Sequence, residues 1–151
     1  MNKETKQTLG IILISLAVIF IIFLRAKPKN DLELCRDIFW GFVEGRQSLQ
    51  NYIDWEHLRA LGLDVGATYR KLPNPKEKED YRREFYKNFS VSFKRNAGRF
   101  EAFTNWRIYE KAALGTIIAA DYKLKSKTAL FTLSGFENKK LTNIKWEGAG
   151  E

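Results

Sequence analysis

Residues 100–147 read FEAFTNWRIYEKAALGTIIAADYKLKSKTALFTLSGFENKKLTNIKWE, and within them the apolar residues recur at every second position. That period belongs to a pleated strand with one face turned to a core. Four strands are expected, at about 100–110, 116–125, 128–136 and 141–147, with turns around Ala113–Gly115, Ser126 and Asn138. Ile118, Ala120, Tyr122 and Leu124 share one face of the second strand; Ile117, Ala119, Asp121 and Lys123 share the other. Phe131 and Leu133 mark the inner face of the third strand, and Ile144 and Trp146 that of the fourth. Short connections between consecutive strands predict an antiparallel meander.

Upstream, the apolar period is helical. Asn30 can cap a helix with Glu33 three residues on, just after Pro28. Leu34, Cys35, Ile38, Phe39, Phe42 and Val43 then form one face, and Gly45 marks the stop. Cys35 on that face reads as a small buried hydrophobe. A second helical stretch is expected over Ser48–Leu61, with a break at Asp54 before Trp55, Leu58 and Leu61. Gly62 and Gly66 loosen the chain that follows. A third helix starts at Pro75 behind the cap Asn74. Tyr81, Phe85, Phe89 and Phe93 fall four apart along it, a stripe read as core. Lys76–Asp80 and Glu79–Arg83 are expected ion pairs on its outer side. Helices first and strands afterwards define an α+β class, about three helices packed on a curved four-stranded antiparallel sheet.

Before the first of these helices, Leu9–Leu24 (LGIILISLAVIFIIFL) carries no charge. With basic flanks at Lys6 and Lys27 it predicts an N-terminal transmembrane helix. The next residues, Arg25, Ala26, Lys27 and Pro28, lack the small-x-small pattern of a cleaved signal peptide. The expected organisation is a short tail (1–8), a transmembrane anchor (9–26), a juxtamembrane linker (27–30), an α+β domain (31–147) and a C-terminal tail (148–151). A signal anchor with its amino end inside makes the protein single-pass, its main domain extracytoplasmic.

The 151 residues hold 26 Lys and Arg against 18 Asp and Glu, a net charge of +8. Residues 1–30 carry half of that excess, and the rest is mixed in sign along the chain. A nucleic-acid partner is not expected, because no basic stripe or RNA-binding consensus is present. One cysteine excludes an internal disulfide, and one histidine excludes every two-histidine metal motif. Neither a metal nor a cofactor is expected.

Three helices followed by a curved meander resemble the NTF2-like (cystatin-like) α+β superfamily. The opening DIFWGFVEGRQSLQNYID, residues 37–54, is similar to that family's start: an apolar helix, a glycine, then a short helix leading to a Tyr-x-Asp corner. Two membrane-associated branches offer weaker likenesses. The NTF2-like inner-membrane component of type IV secretion systems is half matched at Asn74-Pro75-Lys76-Glu77. MlaC-type phospholipid carriers have a Glu-Phe-rich helix similar to REFYKNFSVSF (83–93) and strands closing on a glycine-containing end similar to IKWEG (144–148).

The resemblance implies a cone of helices over a sheet whose open end forms a pocket. In the family's enzymes, acidic residues, Tyr or His project into that pocket, which makes Asp54, Glu56, His57, Tyr109 and Asp121 the catalytic candidates here. Asp54 and His57 are three apart on a helical turn and can share a face. Aromatic residues are abundant, and Trp40, Trp55, Phe85, Phe89, Trp106 and Tyr122 are the candidate ligand-pocket residues. Lys123, Lys125 and Lys127 alternate along the second hairpin as a basic face for anionic headgroups or an acidic partner. The expected function is a non-enzymatic, membrane-anchored NTF2-like module that binds a partner protein or an apolar ligand at the membrane surface. An MlaC-like lipid-binding protein and a small NTF2-like isomerase or hydrolase are the alternatives. The resemblance also implies a homodimer formed through the sheet.

Overall fold

The computed structural model describes residues 30–148 apart from 48 and 137. Helix α1 (Asp31–Glu44) begins where Asn30 Oδ1 accepts the Glu33 N–H at 2.8 Å, and ends at Gly45, whose φ of 68° suits a left-handed cap. Its buried face is Leu34, Cys35, Ile38, Phe39, Phe42 and Val43. Helix α3 (Pro75–Arg95) is capped reciprocally: Asn74 accepts the Glu77 N–H at 2.9 Å and donates to the Glu77 carboxylate at 2.8 Å. Between them lie a 3-10 turn (Gln50–Tyr52), strands β1 (Arg59–Ala60) and β2 (Leu63–Asp64), and the short helix α2 (Val65–Arg70). The meander follows as β3 (Phe103–Ala112), β4 (Gly115–Tyr122), β5 (Lys127–Ser134) and β6 (Lys140–Trp146).

The sheet order is β2-β1-β6-β5-β4-β3. Neighbours in β3–β6 are antiparallel, but β1 runs parallel to β6, with Arg59 opposite Asn143 and Ala60 opposite Ile144. Helix α1 lies across β3, β4 and β5, and α3 packs on α1. Phe39 sits at the centre of the core, its ring 4.8 Å from that of Phe103 and 5.0 Å from that of Phe131. Ile118, Ala120 and Tyr122 meet the same core from β4. On the sheet's outer face, Asp121 accepts hydrogen bonds from Asn105, Arg107 and Thr128.

This architecture corrects the expected one in several places. The sheet has six strands and is mixed, where four antiparallel strands were expected. The helix expected over 48–61 is only the 3-10 turn: the Asp54 N–H donates to the Leu141 carbonyl at 3.0 Å, and Ile53 bridges Leu141, so the chain is drawn alongside β6 instead of coiling. Leu61 and Gly62, at φ 51° and 92°, then turn it back as a tight hairpin. On α3, Arg83 pairs with Asp80 at 2.5 Å in place of the expected Lys76–Asp80 and Glu79–Arg83 pairs.

The transmembrane helix is corrected too. Among the described residues no helix is long and apolar enough to cross a membrane, and α3, 21 residues long, is rich in charge. Residues 9–26, where the anchor was expected, lie outside the described residues. The single-pass, extracytoplasmic placement built on that anchor therefore has no support in the structure, and neither does an envelope location.

Candidate functional site

Because α1 fills the space above β3–β5, α3 is held off the other half of the sheet. A cleft of about 620 Å³ opens there, between α3, the β1–β2 hairpin and the adjoining ends of β4 and β6. This volume falls within the range usual for small-molecule sites. One wall is the stripe Tyr81, Phe85, Phe89 and Phe93, each half-buried; opposite stand Ala60, Leu61, Leu63, Tyr122 and Trp146. The aromatic lining is continuous: Phe89 stacks on Phe93 with ring centroids 5.9 Å apart, Phe93 lies 6.4 Å from Tyr122, and Tyr122 lies 5.6 Å from Trp146. A second row on α3, Glu84, Asn88, Ser92 and Asn96, borders the aromatic one at the same four-residue spacing. Burial lifts the Tyr81 phenol above its ordinary range, against a smaller opposing effect from its hydrogen bond with Thr68. It is therefore a neutral group at the cleft's hairpin end.

Of the six expected pocket residues, Phe85, Phe89 and Tyr122 line this cleft. Trp55 is buried instead, its indole donating to the Gln50 carbonyl at 3.1 Å and its rings packed against Tyr69, Phe85 and Tyr86. Trp106 stacks on Phe131 at 5.2 Å, lies 6.3 Å from Phe39 of α1, and does not line the cleft. Trp40 lies under the guanidinium of Arg46, 4.6 Å from its ring centre. Tyr81, Phe93 and Trp146 complete the lining without having been singled out for it. The four-residue stripe pointed to the first two; it packs on the core as read, and only its open side was not foreseen.

The catalytic candidates do not converge. Asp54 Oδ2 lies 3.0 Å from His57 Nδ1, so the two share a turn as their spacing implies. The His57 side chain is 68% exposed, and neither residue lines the cleft. Glu56 is exposed and reaches Lys78 at 3.9 Å. Tyr109 is 54% exposed on β3, at the opposite edge of the sheet from the β1–β2 hairpin that follows this turn. Asp121 sits in the outer-face network, where hydrogen bonds from Asn105 and Arg107 hold its carboxyl below the usual range against a smaller desolvation effect. Such a strongly bonded carboxylate is a structural acceptor, poorly placed to trade protons with a substrate. No three His, Cys, Asp or Glu among the described residues come together to hold a metal ion.

Of the basic residues, Lys123 and Lys125 belong to the turn between β4 and β5, and Lys127 opens β5. Only Lys125 reaches the cleft; Lys123 and Lys127 border a shallow depression with Asp121 and Thr128. The lone thiol, Cys35, is wholly buried; desolvation, and the nearby Asp31 charge after it, push it well above its ordinary range. It is chemically quiet.

Among the described residues, the fold and its cleft thus define an α+β domain with a mixed six-stranded sheet and an aromatic-lined hollow under α3. The chain matches no family model, no curated protein and no solved structure.

Proposed function

We propose that the protein is a non-catalytic binding module that takes an apolar ligand into the cleft under α3. The observation that carries this reading is the aromatic stripe of α3, which packs on Phe39 and Phe42 of the core along one side and faces the cleft along the other. Tyr86 and Ser90 are the helix's only buried residues, while Tyr81, Phe85, Phe89 and Phe93 stand half-open to a hollow of ligand size. Leaving so much aromatic surface open to water costs free energy that an apolar guest would recover. The resemblance to NTF2-like folds, whose helices and sheet enclose a pocket, supports the same reading. The sheet's outer face is less suited to an apolar partner, since Arg107, Asp121, Thr128, Thr132 and Asn143 make most of it polar. An enzymatic reading is disfavoured because the Asp54–His57 pair lies outside the cleft and Tyr109 stands at the opposite edge of the sheet.

Titration of the full chain with Nile red, an uncharged apolar dye, tests the proposal. Wild type should bind it with a saturating fluorescence rise. Ser92→Trp and Asn88→Trp, which fill the cleft from exposed positions on α3, should weaken binding at least about tenfold, or about 1.4 kcal/mol, with the urea midpoint unchanged. Variants that bind the dye as wild type does would refute the assignment.

A further inference from the structure

The cleft is electrically lopsided. At its hairpin end the polar row of α3 begins with the carboxylate of Glu84, and at its other end the row finishes at Asn96, with Lys125 opposite on the β4–β5 turn. Glu84 and Asn96 are twelve residues apart, about 18 Å along the helix. Between them Asn88 and Ser92 offer neutral polar groups beside the aromatic wall. Neither Glu84 nor Lys125 has an ion pair among the described residues. Two further cations flank Lys125 in the chain: Lys123 shares its turn, and Lys127 opens β5. The nearby carboxylate of Asp121 is already bonded to Arg107.

We infer that the ligand is a single-chain amphiphile with an anionic head, a long-chain carboxylate, bound with its head at Lys125 and its tail along Phe93, Phe89 and Phe85 toward Leu61 and Tyr81. The inference rests on the proposed function and adds the ligand's class and direction. The unpaired ammonium at one end supplies a charge-assisted partner for the carboxylate. Glu84 at the other end repels the same group and so excludes the reversed pose. The aromatic wall between them accepts the chain, and Asn96 and Ser92 flank the head. Lys125 acts here as a specificity residue: it selects the charged head, whereas the apolar wall supplies most of the affinity.

Displacement of bound Nile red from the full chain by dodecanoate and by dodecanol, which share a tail and differ in head, tests this assignment. In wild type, dodecanoate should displace the dye at a concentration about tenfold or more below that needed with dodecanol. Lys125→Met should erase that preference by weakening dodecanoate alone, and Lys123→Met, in the same turn but outside the cleft, should leave it intact. Both lysines are exposed turn residues, so neither variant threatens folding. A preference that survives Lys125→Met, or that falls equally in Lys123→Met, overturns the head-group assignment while cleft binding of the dye still stands. Failure of Ser92→Trp to weaken the dye itself overturns the cleft reading and this inference with it.

Discussion

Asp31 joins the first turn of α1 to the far end of the sheet. Its Oδ2 accepts from the Thr116 hydroxyl at 2.6 Å and from Lys139 Nζ at 2.5 Å, and Lys139 also reaches Thr116 at 2.9 Å. Burial by itself would raise this carboxyl. The bonds from Lys139 and Thr116, with the charges of Lys139 and Lys111, outweigh burial and leave it below its ordinary range. A carboxyl held lower in the folded than in the unfolded chain stabilises the fold above the unfolded pKa. It loses that contribution as pH falls through the folded value. Asp31→Asn should therefore cost about 1–2 kcal/mol at neutral pH. The gap from wild type should close as pH falls below about 4, where the wild-type carboxylate takes up its proton. Urea unfolding of both proteins across that range checks the prediction. Neither partner was legible in the sequence, because Thr116 and Lys139 lie 85 and 108 residues from Asp31.

At the scale of elements, what could be read ahead was what is encoded locally. Asn30 with Glu33, Asn74 with Pro75, and Gly45 carry cap chemistry within a few residues, so α1 begins and ends, and α3 begins, where their sequences say. The alternation Ile118, Ala120, Tyr122 likewise shows the inner face of β4 directly. Residues 48–64 misled for a physical reason. Trp55, Leu58 and Leu61 imitate a helical face, yet Trp55 and Leu58 are buried from an irregular segment whose backbone partners come from β6. Two-residue strands carry no periodicity, and β1 exists because β6 accepts it. The aromatic stripe of α3 was plain as a pattern and packs on the core as read, but that its other side lines a hollow depends on α1 holding α3 off the sheet. The same irregular region yields a sharp test. A Cβ on Gly66, in the first turn of α2, would stand 2.3 Å from the Glu56 carbonyl oxygen, a backbone atom that cannot swing aside. Gly66→Ala should destabilise the chain by about 1–3 kcal/mol, read as a lower urea midpoint.

Across the whole molecule, the parallel seam between β1 and β6 governs how the structure assembles. The hairpins of β3–β6 bring together neighbours in sequence and can zip at little entropic expense. Seating Ala60 beside Ile144 instead brings together residues from opposite halves of the chain. Contacts of such long range slow folding. Disrupting the seam from one side, with Leu61→Pro removing the N–H that donates to the Ile144 carbonyl at 2.7 Å, should raise the unfolding rate more than it lowers the refolding rate. A stopped-flow chevron would show this as displacement mainly of its unfolding arm. If the seam docks last, its release is also the first step of opening, and the wall that frees itself is the one carrying Ala60, Leu61 and Leu63. The route by which a guest enters the hollow would then be a local rehearsal of the way the protein comes apart.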